Sequence, residues 1–254
     1  MKSNGTVDAE WVAAFDSSAG AALVLARGAQ VVARRILPAA ERERDADLAA
    51  WCLAACREAG VSLAGIQSWT VGIGPGSFSG LRAGIAFVQG VALGSGARVR
   101  GLPSSLGLAR MAVDEAGTAS ARVGVLHDAR RGQLILSVWA LAAGAWRETG
   151  PAGVREPGEV AAELAACDYL VTPHAATVAP RLEVAARARL QAVETLDAAT
   201  LLAPPGWCWP PEADADSATV ETGALIEPIY VRPPVFVPPQ SPGPLPEWLT
   251  APLG

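Results

Sequence analysis

Apolar residues come first in short runs and then at helical spacing. Trp11 to Phe15 leads into an acid at Asp16, Ala21 to Ala26 follows Gly20, and Ala29 to Leu37 follows Arg27–Gly28. Short runs parted by one or two turn residues predict an antiparallel meander, which Pro38 closes. Leu48, Trp51, Cys52, Ala55, Cys56 and Ala59 then recur at i, i+3, i+4, i+7, i+8 and i+11. That is one stripe of a helix, started by Asp45 or Asp47 and stopped by Gly60. The run "IQSWTVGIG" reads as a strand entering a glycine loop. Phe78 to Gly94 reads as a second helix, with Ser77 or Ser79 as its N-cap.

This second helix lacks bulk on much of its surface. Leu81, Ile85, Val88 and Ala92 make an apolar stripe and Phe87 and Val91 a second apolar side, while Gly80, Ala83, Gly84, Gly90 and Gly94 are small. Each glycine costs a helix up to about 1 kcal/mol against alanine, so several together predict close packing by another backbone.

Beyond it, "ARVRGL" reads as a strand and "SSLGLARMAVDEAG" as a helix. "ARVGVLHDARRGQLILSVWAL" reads as strand, turn, strand, with Asp128 at the turn. An apolar strand ending in an acid thus occurs at Asp16 and again at Asp128, each followed by another strand, which hints at a duplicated subdomain. After Trp146 the pattern weakens. "EPGEVAAELAAC" looks helical, "DYLVT" a strand, and "AATVAPRLEVAARARLQ" helical or mixed. From Ala224 on, prolines impose extended backbone.

Composition narrows the function classes. Of 254 residues, 51% are hydrophobic and 18% charged, which is globular rather than disordered. The net charge of −5 disfavours unaided nucleic-acid binding, which draws most of its affinity from phosphate contacts. Cys52, Cys56, Cys167 and Cys208 form no C-x-x-C pair, and two histidines are too few for a typical Cys/His metal centre. The polar N-terminus has no signal-peptide core and no apolar run reaches membrane-spanning length, so a cytoplasmic location is expected.

The stretch Gly72 to Gly80, "GIGPGSFSG", carries the candidate chemistry. A strand, a glycine loop and a helix N-terminus can hold an anion on backbone N–H groups. There is no G-K-[ST], so it is not a Walker A loop. A structural turn is the preferred reading of Gly74, Pro75, Gly76, Ser77, Phe78, Ser79 and Gly80, with anion binding as the alternative. Arg82 falls in the first helical turn, where a cation calls for an anion or a carboxylate. Asp16 with Ser17 and Ser18, and likewise Asp128, either bind a Mg–phosphate group or are turn acids; the turn reading is preferred. His127 reads as packed or solvated rather than as a general base. Ser77 and Ser79 lack a paired histidine and read as caps rather than nucleophiles.

Together these stretches resemble the bacterial TsaB (YeaZ) family of tRNA threonylcarbamoyladenosine biosynthesis proteins. "GIGPGSFSGLRAGIAFVQGVALG" is similar to the family signature G-x-G-P-G-S-F-[TS]-G-[LV]-R-x-G and its glycine- and alanine-rich helix. "FDSSAGAALVLARG", "GLPSSLGLA", "HDARRGQLILSVW" and "EPIYVRPP" resemble further family blocks in order. The likeness covers about residues 11–140 and returns near 227–232.

The resemblance implies an α/β fold of the actin-like (ASKHA, ribonuclease H-like) type with two related subdomains, residues 9–103 and 104–232, before a Pro-rich tail at 233–254. It implies a non-catalytic subunit that docks on the catalytic paralogue TsaD, with the ATPase TsaE joining them, to modify the adenosine beside the tRNA anticodon. Homodimerisation when alone, tRNA contact only through the complex, no required cofactor or metal, and ATP with Mg at the level of the complex belong to the same expectation. The docking face would take Leu48, Trp51, Cys52, Ala55, Arg82, Ala83, Gly84, Phe87, Val88 and Val91. A remnant nucleotide site would take Asp16, Ser17 and Asp128. The sequence has no H-x-x-x-H metal pair. It departs from the family at "AERERDADL", where a His-Ser or His-Thr motif is usual, and residues 141–226 do not align. The competing readings are an active ASKHA ATPase, kinase or carbamoyltransferase, and, more remotely, a peptidase.

Overall fold

The computed structural model describes residues 9–39, 48–114, 118–202 and 226–231. Asp45, Asp47, Cys208 and the tail at 233–254 lie outside them.

The meander forms as its turn residues require. β1 (Trp11–Asp16), β2 (Ala21–Arg27) and β3 (Gln30–Leu37) pair antiparallel in sequence order. β1 and β2 are almost wholly buried, whereas β3 alternates exposed and half-buried positions, as an edge strand must. α1 (Leu48–Glu58) ends where glycine takes the left-handed φ of +73° at Gly60, its N–H donating to Arg57 O. β4 (Ser68–Gly72) joins β1 in parallel. α2 (Phe78–Ser95) starts at Ser77, whose Oγ accepts the Gly80 N–H, and ends on Gly96, two residues beyond the expected Gly94. β5 (Arg98–Leu102) completes a sheet of order β3-β2-β1-β4-β5.

α3 (Ser104–Asp114) leads to a second sheet. β6 (Ala121–Asp128), β7 (Leu134–Ala142) and β8 (Ala145–Glu148) form an antiparallel meander, and β9 (Gly153–Arg155) also pairs with β7. After α4 (Ala161–Ala165), β10 (Tyr169–Thr172) joins β6 in parallel. After α5 (Ala175–Val178) and α6 (Val184–Ala188), β11 (Leu190–Ala192) joins β10. The order β8-β7-β6-β10-β11 repeats that of the first sheet, meander first and parallel strands after. Two such units make the actin-like fold that the resemblance implies. The sheets divide at the link between β5 and α3.

Side-chain alternation sets three cores. Phe15, Leu23 and Leu25 face α1 and α2 with Trp69 and Val71. Ala14, Ala22 and Val24, on the opposite face, share a core with α3 and with Val123, Val125 and Trp139 of the second sheet. Leu126, Leu136 and Leu170 face α4 and α5. The layers therefore run helices, sheet, α3 with the 3-10 turn Ala198–Leu201, sheet, helices.

Candidate functional site

The two strand-end acids point the site out. Asp16 is 2% exposed and lies on the face of the first sheet that looks towards α3. One carboxylate oxygen accepts from Ser18 N–H at 2.9 Å and Ser18 Oγ at 2.6 Å; the other accepts from Ser104 Oγ at 2.5 Å. A buried carboxylate is tolerable only when so satisfied. Ser104 also ties down the glycine loop: its Oγ accepts Gly74 N–H at 3.0 Å and its own N–H donates to Gly74 O at 2.7 Å.

The loop is stitched to the β1–β2 turn as well. Ser77 N–H donates to Ser18 O at 2.7 Å, and Ser17 Oγ donates to Gly80 O at 2.8 Å. Gly72 leaves the space that Asp16 occupies, since a Cβ there would overlap Oδ2. Gly84 does the same for Ser17 Oγ and the Phe15 ring. The Gly74–Pro75 peptide is cis. The Gly74, Ser77 and Gly80 amides are thus already bound within the chain.

Asp128 is engaged differently. Its Oδ1 accepts from Arg181 Nη1 at 2.7 Å and from Arg130 N–H at 2.8 Å. Burial raises its pKa, but the Arg181 and Arg130 hydrogen bonds and the Arg181 charge outweigh it and hold the carboxyl below its usual range. Its own N–H donates to His174 Nδ1 at 3.3 Å. His127 is 1% exposed and stacks edge-on against His174, centroids 5.7 Å apart. Neither ring nitrogen of His127 has a partner among the described residues, and burial, then His174, lowers its pKa to about 3. Burial thus favours its neutral form, packed against His174 rather than solvated.

The expected docking face divides. Leu48, Cys52, Ala55 and Val88 are buried in the first subdomain's own core, and Gly84 is packed on the β1–β2 turn. These are corrections: periodicity identified a buried stripe but not which body covers it. Burial accordingly pushes the Cys52 thiol up to about 12, with Cys56 adding to it. Trp51, Ala83, Phe87 and Val91 are half-buried and Arg82 is exposed. The open surface of α2 lies further along, at Ala86, Gly90, Leu93 and Gly94. Leu93 is 76% exposed, and among the described residues a Cβ on Gly90 or Gly94 would meet nothing within 4 Å. The small residues of α2 therefore serve two purposes, close packing inside the subdomain and a bare outer stripe.

Sequence reasoning missed Ser104, His174, Arg181 and Tyr230. Ser104 stands in "GLPSS", directly after a strand, a position from which a hydroxyl can reach a neighbouring strand end. Tyr230 stands in "EPIYVRPP", a block that resembles the family but whose sequence gives the ring no role, and nothing local marks His174 and Arg181. Among the described residues no group of three or more His, Cys, Asp or Glu can hold a metal ion, and no helix is long and apolar enough to cross a membrane.

The family model for TsaD, tRNA N6-adenosine threonylcarbamoyltransferase, matches residues 36–150. A search of curated proteins gives no match. Among solved structures, the chain is similar to a Pseudomonas aeruginosa protein described as uncharacterized with similarity to peptidase YeaZ. The identity is 25%, covering 88% of this chain and 100% of that one, with a TM-score of 0.67. It is similar also to YeaZ from Pseudomonas aeruginosa, at 25% identity over 87% of this chain and 99% of that one, with a TM-score of 0.63. The likeness to TsaB (YeaZ) read from the glycine block thus extends well beyond that block.

Proposed function

We propose that the chain is a non-catalytic subunit of the assembly that adds threonylcarbamoyl to the adenosine beside the tRNA anticodon, and that it docks on a TsaD-like paralogue through α2. The likeness to YeaZ and the partial match to the TsaD model support a role in tRNA modification. The observation that carries the subunit reading is the outer stripe of α2, where Gly90 and Gly94 leave a helix surface free for close approach beside the exposed Leu93. A stripe of this kind lets two helices pack with their backbones close, and an interface core is depleted of charge in the same way. The engagement of Asp16 by Ser18 and Ser104 favours a scaffold over a phosphate-transfer enzyme. A TsaE-like ATPase would join the pair, ATP and Mg would enter at the level of the complex, and tRNA would be met only through it. In the absence of TsaD the same stripe can pair two copies of this chain. Such a subunit would work in the cytoplasm, with its tRNA.

The test is co-expression with TsaD-like and TsaE-like proteins, followed by size-exclusion chromatography with and without ATP. Gly90→Arg is expected to abolish co-elution while the variant stays folded, because the site is open. Gly84→Arg is unsuitable, since it would strike Ser17 and Phe15 and unfold the subdomain. Co-elution of Gly90→Arg at wild-type yield sinks the docking reading. Saturable Mg–ATP hydrolysis by the isolated chain, lost in Asp16→Asn, sinks the non-catalytic one.

A further inference from the structure

Arg82 sits in the first turn of α2, where the positive end of the helix dipole disfavours a cation. The fold nevertheless fixes it in place. Its guanidinium carbon lies 3.9 Å from the centroid of the Phe78 ring and 5.6 Å from that of Tyr230, and its Nε donates to the Tyr230 hydroxyl at 3.1 Å. The two rings touch each other, centroids 5.9 Å apart. Tyr230 is carried there by the returning segment 226–231, in which Ile229 N–H donates to Ile73 O at 2.8 Å and Ile226 packs over Gly101.

Among the described residues the outer edge of this guanidinium is unengaged. Arg34, Arg35, Arg98 and Arg181 each meet a carboxylate; Arg82 meets none among the described residues. Its flanking rings stay open, Phe78 at 58% and Tyr230 at 46% exposure. A guanidinium already immobilised by stacking and by its Nε bond loses little further freedom on gripping an anion, and its free fork matches a carboxylate. An anion there would also relieve the repulsion from the helix dipole. Arg82 lies four, eight and eleven residues before Ala86, Gly90 and Leu93, at one end of the same exposed stripe.

We propose that Phe78, Arg82 and Tyr230 form an anchor for an aspartate or glutamate of the partner subunit, flanked there by apolar side chains that cover the two rings. The proposal rests on the docking reading of α2 and adds the chemistry of the contact at its N-terminal end. Arg and Tyr are the residue types that dominate interface energetics when they are rigid and fully covered on binding. An RNA phosphate would fit the fork, but a cation bordered by exposed rings and a small-residue stripe, on a chain of net charge −5, suits a protein surface better.

The test uses the full chain and a TsaD-like partner, with affinity measured by calorimetry at low and high salt. Arg82→Met keeps the stacked bulk and removes the charge; it is expected to weaken pairing about tenfold to a hundredfold and to flatten its salt dependence. Arg82→Lys is expected to recover only part of the loss. Wild-type affinity and salt response in Arg82→Met, with pairing abolished by Gly90→Arg, overturns the anchor and leaves the docking reading standing. Wild-type pairing by both variants overturns both. Intact pairing by Arg82→Met with reduced tRNA retention by the complex overturns the anchor in favour of a nucleic-acid contact.

Discussion

The hydroxyl of Ser104 and the carboxylate of Asp16, 88 residues apart in the chain, meet at 2.5 Å beneath the glycine loop. This contact joins the end of β1 to the start of α3, and through Gly74 it fixes the loop as well.

Removing it therefore tests what Asp16 does. Asp16→Ala leaves the Ser104 hydroxyl and the Ser18 amide buried without their acceptor, which is expected to cost about 2–5 kcal/mol. Ser104→Ala is expected to cost less, about 1–3 kcal/mol, because Ser18 still satisfies one carboxylate oxygen. Urea unfolding followed by circular dichroism measures both. Equal stability of Asp16→Ala and wild type would mean that the buried carboxylate is not structural.

Two glycines of one helix should respond with opposite signs. Gly84→Ala places a methyl group against Ser17 and Phe15 and is expected to destabilise by about 1–3 kcal/mol. Gly90→Ala places it in open space and is expected to stabilise by about 0.5–1 kcal/mol through helix propensity alone. Thermal melts of the two variants side by side decide the point.

His127 should make the fold acid-sensitive. Its pKa falls from 6.5 to about 3 on folding, so the unfolded chain binds the extra proton between those values. Stability is then complete above about pH 6.5 and is lost as the pH drops towards 3, by at most about 1.4 kcal/mol per pH unit from this group. His127→Leu is expected to flatten the dependence of urea midpoint on pH across that window. An unchanged slope would place the acid sensitivity elsewhere.

Native thiol chemistry should be silent at three positions. Cys52, Cys56 and Cys167 are buried, and burial raises the pKa of each. Iodoacetamide at mildly alkaline pH is expected to leave all three unmodified until denaturant is added, as read by peptide mass spectrometry. Labelling of Cys52 in the folded chain would show that α1 opens from the core.

The sequence made some of this legible and not the rest, for physical reasons. Strand meanders with turn residues between them, the stripe of α1 and the Ser77 cap are local signals and appear where expected. The echo of Asp16 by Asp128 foreshadowed the repeated sheet order. β11 carries three residues and a single parallel partner, so no local pattern separates Leu190–Ala192 from the helix before it. The glycines of α2 announce close approach but not by what. That Gly84 meets Ser17 while Gly90 meets nothing among the described residues depends on how the β1–β2 turn folds back, which spacing along α2 does not encode. Arg82 stood out as a misplaced cation, but its ring partner Tyr230 comes from 148 residues away.

α3 and the apolar core around it bind both sheets into one body, with Trp139 Nε1 of the second sheet donating to Ser105 Oγ at 3.2 Å. Enzymes that swing two lobes about a cleft need that seam to slide and open around each substrate. Here the seam is filled with packed hydrocarbon, so sliding it open would expose buried apolar surface to water. On the proposed docking reading, a partner of α2 would meet a surface whose backing is held by that packed seam.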